Sequence, residues 1–248
     1  MYLKHFALDE TPFGLTPDVG FTWAAPSHEQ ALATLRVALR NGEGFVKVTG
    51  EVGAGKTLLC RTLLDRLAGE AITAYFPNPQ LTPKEALRAL AKELRLRCDK
   101  RLQVHDQHAV IETGLLQIVL FGQPEIDVLL RTPQCRALAS RIAFSAHLSP
   151  LDRKDFRHYL RHRMNVAGWR GPEVFTPAAR LLMWWASGGV PRRANILAHK
   201  GLILAAGDGA LQVGVRQAWA AWRDTAWHGP TWRRYGRTPS VDLLGMSS

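Results

Sequence analysis

The residues whose types and spacing suit a defined chemistry lie between positions 50 and 57. They read Gly-Glu-Val-Gly-Ala-Gly-Lys-Thr and fit the pattern G-x-x-x-x-G-K-[ST] at every fixed position. Backbone N–H groups of such a loop surround phosphate oxygens, and the start of the following helix favours anions. In this pattern Lys56 reaches the terminal phosphates of a nucleoside triphosphate and the Thr57 hydroxyl holds Mg²⁺.

The sequence on either side of this loop predicts a strand before it and a helix after it. The apolar residues 45–48 precede the loop, and good helix formers occupy 58–64. This context favours phosphate binding over a glycine-rich turn with a chance lysine. The predicted binding residues are Gly50, Glu51, Val52, Gly53, Ala54, Gly55, Lys56, Thr57 and Leu58, with Thr57 also as the metal ligand.

The composition limits the classes of protein to which this chain can belong. The 248 residues are 46% hydrophobic, which suits one large domain or a domain with a smaller companion. No apolar run approaches the length of a membrane span, and the first residues do not resemble a secretory signal. The three cysteines, Cys60, Cys98 and Cys135, are widely spaced and predict reduced thiols in a cytoplasmic protein.

The net charge of +11 is concentrated after residue 148. A basic C-terminal third favours a polyanionic partner, which can be nucleic acid, an anionic membrane surface or an acidic protein. A solvated basic surface without a partner explains the same composition, and the sequence leaves these alternatives open.

The elements before residue 150 alternate between helices and strands. We expect a helix over 28–40 with Ser27 as its N-cap, a strand over 71–76, a helix starting at Thr82, and strands over 115–121 and 141–147. This alternation is typical of an α/β fold with a parallel sheet.

Pro150 marks the change to a segment that is helical throughout. Helices are predicted at roughly 152–167, 177–187, 191–206 and 214–226. The predicted division is a phosphate-loop core over 1–148, a helical lid over 149–226 and a basic tail over 227–248.

Several segments together resemble the AAA+ ATPases of the ExeA/GspA and MshM type, which serve type II secretion and mannose-sensitive pilus biogenesis. The segments are Leu15-Thr16-Pro17-Asp18, His28-Glu29-Gln30-Ala31-Leu32, the stretch from Gly42 to Arg61, Pro77-Asn78-Pro79, Leu116 to Glu125, and Gly188-Gly189-Val190-Pro191-Arg192. The resemblance covers about residues 1–226. AAA+ proteins that assist transposition are similar at a greater distance.

The resemblance implies a RecA-like α/β domain followed by a small helical lid, with ATP and Mg²⁺ as cofactors. It implies that Arg192 is the sensor-2 arginine, with Arg193 as the alternative, and that Arg141 is an arginine finger, with Arg136 as the alternative. Gln123 matches the sensor-1 position, which orients the attacking water. Guanidinium groups suit these roles because the phosphoryl transition state spreads negative charge.

The resemblance also implies self-association and a partner in an inner-membrane secretion or pilus assembly. A cytoplasmic protein, peripheral at the inner membrane, fits that role. Nucleic acid remains an alternative partner because of the basic C-terminal third.

One part of the family pattern is missing. Members have a strand ending in a Walker B Asp-Glu between the helix that ends near Arg97 and the central strand that begins at Leu115, whereas only a short polar stretch occupies that place here. Residues 109–112 are a poor substitute, because Thr113-Gly114 leaves no room for a parallel crossover. We expect an internal deletion that leaves phosphate binding and weakens hydrolysis, so a nucleotide binder without turnover is a further alternative.

Overall fold

The structure is a computed structural model that describes residues 2–16, 18, 20–75 and 116–225. It divides the chain into two units. The phosphate-loop unit comprises the described residues of 16–149. The helical unit comprises those of 1–15 together with 150–225.

Helices and strands follow one another in chain order. They are α1 (Tyr2–His5), α2 (Pro26–Arg40), β1 (Phe45–Gly50), α3 (Lys56–Leu67), β2 (Ile118–Gly122), α4 (Glu125–Leu130), a 3₁₀ turn (Pro133–Cys135), α5 (Arg136–Ala139), β3 (Ile142–Leu148), α6 (Arg153–Val166), α7 (Pro177–Ser187), α8 (Pro191–Gly207) and α9 (Val215–Arg223).

The described strands form a three-stranded sheet in the order β2-β1-β3, with both pairings parallel. Val46 and Val48 of β1 are fully buried, because their face of the sheet packs in one apolar core with Leu35 of α2 and Leu59 of α3. Side chains alternate along a strand, so Lys47 and Thr49 belong to the opposite face. The sheet and its helices are the α/β architecture that the sequence predicts.

The opposite face of β1 carries polar contacts. Lys47 forms an ion pair with Asp127 of α4, and Thr49 Oγ1 lies 3.1 Å from Nδ1 of His147 on β3. The ion pair connects α4, the helix that follows β2 in the chain, to β1, the central strand of the sheet.

The helices of the helical unit begin and end at residues with local causes. Asp152 caps α6 by accepting a hydrogen bond from the Asp155 N–H at 2.7 Å. Thr176 caps α7 in the same way, with Pro177 at the first helical position. Gly188, with φ of 63°, ends α7 in the left-handed conformation that glycine adopts without strain. The predicted bounds of these helices agree with the structure to within three residues.

A buried polar network attaches the N-terminal segment to the helical unit. Nε of the buried Arg163 donates to the Pro12 carbonyl, and the Tyr159 hydroxyl donates to Oδ1 of Asn195 at 2.7 Å. Nδ2 of Asn195 in turn donates to the Gly14 carbonyl at 3.3 Å. The buried side chains of Arg163, Tyr159 and Asn195 thus have hydrogen-bond partners, which offset the free energy lost on desolvation.

This network explains why residues 1–15 fall in the helical unit. The expected core of 1–148 included them, so the structure differs from that expectation at its N-terminal end. The sequence offers no local pattern for the difference, because the contacts join residues about 150–180 positions apart.

Two predicted details of the phosphate-loop unit are wrong. The N-cap of α2 is Ala25, with Pro26 at the first helical position, and Ser27 lies inside the helix, where its hydroxyl donates to the Ser149 carbonyl. Residues 71–75 form no strand, and Ile72 is 78% exposed. An apolar run becomes a strand only where a neighbour completes its hydrogen bonds, and the described sheet contains no strand beyond β2 to do so.

Some predictions fall outside the described residues. These are residue 76 of the expected strand, the helix expected from Thr82, the candidate Walker B substitute at 109–112 and the tail over 227–248.

The buried network gives a first prediction. Tyr159→Phe is expected to lower the free energy of unfolding by about 1–3 kcal/mol, because Asn195 Oδ1 loses its donor in a buried place. Urea unfolding followed by tryptophan fluorescence measures this change. Tyr75→Phe, at an exposed tyrosine, is the control and should change stability little. Equal effects of the two substitutions would contradict the assignment of the network.

Candidate nucleotide-binding site

The phosphate loop connects the end of β1 to the start of α3 at the edge of the sheet where the parallel strands end. Gly50 closes β1, and Lys56 opens α3. Open α/β sheets bind ligands at this edge, where helix N-termini converge. The strand, loop and helix predicted from the sequence are therefore present in the expected order.

Two glycines of the loop occupy backbone conformations that other residues rarely adopt. Gly53 has φ of 86° and Gly55 has φ of 98°. A Cβ on Gly55 would also lie 2.6 Å from Nε2 of His28, which is closer than such atoms approach. Glycine is therefore required at 55 for both backbone and packing reasons.

His28 packs against the phosphate loop; it lies in one of the segments that carry the family resemblance, but the sequence did not predict this contact. It stands in the first turn of α2, and its ring packs beneath the loop beside Gly55. Burial lowers the pKa of His28 below its usual range, although a hydrogen bond with the backbone of Ala54 opposes the shift. The uncharged imidazole therefore supports the loop as packing. No spacing rule links positions 28 and 55, so no sequence signal could have found the contact.

Lys56 folds back over its own loop. Its Nζ donates to the carbonyl oxygens of Gly50 at 2.6 Å and Glu51 at 2.9 Å. Burial lowers the pKa of the ammonium group, and the carboxylates of Glu51 and Glu125 oppose that shift. A charged donor is thus held at the loop, where a phosphate oxygen can replace the carbonyl acceptors.

The rest of the predicted binding segment surrounds this lysine. Thr57 is the second residue of α3 and is exposed, and Leu58 is half-buried behind it. Val52 is exposed at the loop, whereas Ala54 is buried in the core of the unit. The glycine cradle, the lysine and the exposed threonine hydroxyl fit a magnesium-bound nucleotide phosphate.

Gln123 lies at the same edge of the sheet as the phosphate loop. Thr49 pairs with Gly122, the last residue of β2, so Gln123 follows at the same end of the strands as Gly50. The Gln123 side chain is exposed. The structure thus brings Gln123 to the phosphate loop, although its sensor-1 role stays a prediction.

Arg141 lies at the opposite end of the strands, directly before β3. Ile142 pairs with Phe45 at the start of β1, so Arg141 is separated from the loop by the length of that strand, about 17 Å at 3.3 Å per residue. Arg141 is exposed, as is its alternative Arg136 on α5. The structure does not bring Arg141 to the phosphate loop of its own chain.

Arg192 and Arg193 open α8 in the helical unit. Arg192 is exposed and Arg193 is half-buried. The turn before them requires Gly189, which has φ of 72° and whose Cβ would lie 2.3 Å from the Leu151 carbonyl oxygen. The Leu151 N–H donates to the Gly189 carbonyl at 2.9 Å, which fixes where α8 begins.

Comparison with known proteins agrees with this geometry. Residues 39–113 match the family described as "AAA domain". The chain is 35% identical to the general secretion pathway protein A of Aeromonas hydrophila, over 86% of this chain and 46% of that protein. The chain therefore spans about half the length of this curated relative.

Solved structures with similar folds have lower sequence identity. The Aeropyrum pernix ORC2 protein, solved as ADPNP–ADP complexes, has a TM-score of 0.60 and 15% identity over 86% of this chain and 73% of its own. The Thermotoga maritima RuvB Holliday junction branch migration motor has a TM-score of 0.57 and 18% identity over 79% of this chain and 67% of its own. Identities this low establish the fold alone.

The fold and the phosphate loop define a P-loop protein of the AAA+ class. Within that class the chain resembles the AAA+ ATPases of the ExeA/GspA type, as its sequence predicts. The resemblance is thus to P-loop ATPases, and this chain matches about half of the secretion relative. Among the described residues, no helix is both long and apolar enough to cross a membrane.

Gly55→Ala tests the packing of the loop. The left-handed backbone costs alanine about 1–2 kcal/mol, and the close approach to His28 adds to that cost. Gly69→Ala is the matched control, because Gly69 has φ of 86° with no atom within 4 Å of the added Cβ. Thermal unfolding should show a larger loss for Gly55→Ala, which His28→Ala partly restores. Equal losses at the two glycines would refute the packing role of His28.

Proposed function

We propose that this chain is an ATP-binding AAA+ protein that assists the assembly of a general (type II) secretion or type IV pilus apparatus, with impaired hydrolysis. The observation that carries the nucleotide-binding part is the loop of residues 50–58 with the Lys56 ammonium held over it. The assembly role is supported by the similarity to general secretion pathway protein A, of which this chain matches about half.

The residues of the loop have separate tasks in this proposal. Backbone N–H groups and Lys56 bind the β- and γ-phosphates, and the Thr57 hydroxyl holds Mg²⁺. The metal would neutralise the charge that develops on the phosphate oxygens. Gln123, at the same end of the strands as Gly50, orients water near the γ-phosphate.

Two observations support an internal deletion that removes Walker B. The alignment with the secretion relative runs over 254 residues, more than this whole chain, although only 86% of the chain takes part. Several tens of residues within the aligned region of that relative therefore have no counterpart in this chain. Residues 71–75 form no strand, which is expected if their neighbour in the sheet is missing. Without a Walker B carboxylate, activation of water is weakened.

The position of Arg141 supports self-association. A guanidinium at the sheet edge opposite its own phosphate loop can act on a nucleotide only in another copy of the chain. A ring of such chains places each arginine at a neighbour's site. The assembly would work at the cytoplasmic face of the inner membrane, next to a membrane-bound component of the apparatus.

Lys56→Ala tests the proposal. Mg-ATP binding, measured by titration calorimetry, is expected to weaken by about tenfold to a hundredfold, because charge-assisted hydrogen bonds are lost. Turnover by the unaltered chain should stay well below about 1 s⁻¹. Lys154→Ala, at an exposed lysine of α6, is the control and should bind ATP normally.

Two outcomes would contradict this proposal. If Lys56→Ala binds ATP as tightly as the unaltered chain does, the loop is not the binding site. Turnover at ordinary rates that Lys56→Ala abolishes would exclude impaired hydrolysis. Inserting the corresponding segment of the secretion relative should raise turnover if the deletion is its cause.

Arg192→Ala tests the sensor-2 assignment. ATP affinity should fall by about tenfold while ADP affinity changes little, because the lost contact is to the γ-phosphate. Arg193→Ala is the matched substitution at the neighbouring position. If only Arg193→Ala weakens ATP binding, Arg193 is the sensor-2 residue. If neither substitution changes the affinity for ATP, the sensor-2 residue does not lie on α8.

A further inference from the structure

The helical unit contains a cleft that the nucleotide site does not use. Its volume is about 400 Å³, and it lies between α6 and the segment of 169–175. The buried side chains of Leu160, Met164 and Phe175 form its apolar floor. A pocket of this size with an apolar floor and a few polar groups is typical of a small-ligand site.

The rim of this cleft is basic. Four arginines line it, at positions 157, 161, 170 and 180, against the single carboxylate of Glu173. Nε of Arg157 donates to Glu173 Oε1 at 2.7 Å, and Arg180 forms an ion pair with the same carboxylate. These contacts lower the pKa of Glu173 against the opposing effect of its burial. The lining therefore has an excess of positive charge.

Two of the arginines remain available for a ligand. Within the described part of the chain, neither Arg161 nor Arg170 pairs with a carboxylate, and both are exposed. Nη1 of Arg170 donates to the carbonyl of Asn165, one helical turn beyond Arg161 on α6. Arg170 therefore reaches back to the last turn of α6, the helix that carries Arg161, and both arginines line the same cleft.

Trp169 supplies an aromatic surface at the same cleft. Its indole N–H already donates to the Pro172 carbonyl at 2.7 Å. The ring also lines a second cavity beside Leu211, so it stands between two open spaces. Phe6 contacts the ring edge-to-face, with centroids 6.1 Å apart, and Gly171 packs closely on it. The indole surface that lines the cleft beside these contacts suits a planar group.

We propose that this cleft binds a nucleotide phosphate, held by Arg161 and Arg170, with the base against Trp169. Guanidinium groups match phosphate geometry and stay charged. A phosphate suits the uncompensated charge better than a peptide carboxylate does, and a base suits the indole surface. The ligand is a free nucleotide or a unit of a single-stranded nucleic acid.

The basic rim favours a strand over a single nucleotide. Three positions at four-residue intervals span about 12 Å of α6. They are Arg157, Arg161 and Asn165, whose carbonyl oxygen accepts a hydrogen bond from Arg170. This site lies within the helical unit and does not rest on the function proposed for the phosphate loop.

Binding of a labelled twenty-nucleotide oligothymidylate to the full chain tests the proposal. The double variant Arg161→Gln/Arg170→Gln should bind at least about tenfold more weakly, and its dependence of log K on log salt should be shallower by about 0.7, the change expected for one lost phosphate contact. The matched control is Lys154→Gln/Arg223→Gln, which removes the same charge from exposed residues outside the cleft.

Thymidine 5′-monophosphate distinguishes the two sources of the ligand. Binding of the mononucleotide that the cleft variant loses indicates a free nucleotide, and binding of the oligonucleotide alone indicates a strand. Lys56→Ala should leave both unchanged, which separates this site from the phosphate loop. Unfolding curves of each variant should match that of the unaltered chain if the helical unit is intact.

Three results would overturn the proposal. The first is failure of the unaltered chain to bind either probe at 50 mM salt. The second is an equal loss in the cleft variant and its control, which would reflect general charge. The third is displacement of the oligonucleotide by polyglutamate at equal charge, which would indicate an acidic protein as the occupant.

Discussion

The parallel pairing of β1 with a strand on each side is the constraint on which the phosphate-loop unit depends. It brings the ends of three strands to one edge, so that Gly50, Gln123 and Leu148 become neighbours although they are distant in sequence. A Cβ at position 50 would lie 3.0 Å from the Cβ of Leu148 and 3.2 Å from its carbonyl oxygen, so this close approach favours glycine there. The nucleotide site is thus a consequence of sheet register, and the loop residues add the charge.

Charge at this edge is arranged at some cost in solvation. The Lys56 ammonium group is partly buried and compensated by carbonyl oxygens, with Glu51 and Glu125 near enough to affect its pKa. A cation held in this way is already oriented, so less side-chain entropy is lost when an anion arrives. The ion pair of Lys47 with Asp127 holds α4, and with it Glu125, at the end of β2.

Local patterns in the sequence predicted much of this structure. The phosphate loop, β1, α3 and the four long helices of the helical unit follow from glycine spacing, caps and prolines, which act within a few residues. Contacts across long sequence distances were not predictable. The packing of His28 against Gly55 and the bond from Arg163 to the Pro12 carbonyl are of this kind. Residues 71–75 have the composition of a strand, but pairing depends on a neighbour that composition does not reveal.

The attachment of residues 2–15 to the helical unit makes that unit discontinuous in sequence. The polypeptide leaves it after Leu15 and returns at Pro150, so the phosphate-loop unit is inserted between two parts of one folded body. Both ends of the phosphate-loop unit are therefore joined covalently to the same folded body, one through Leu15 and the other through Pro150.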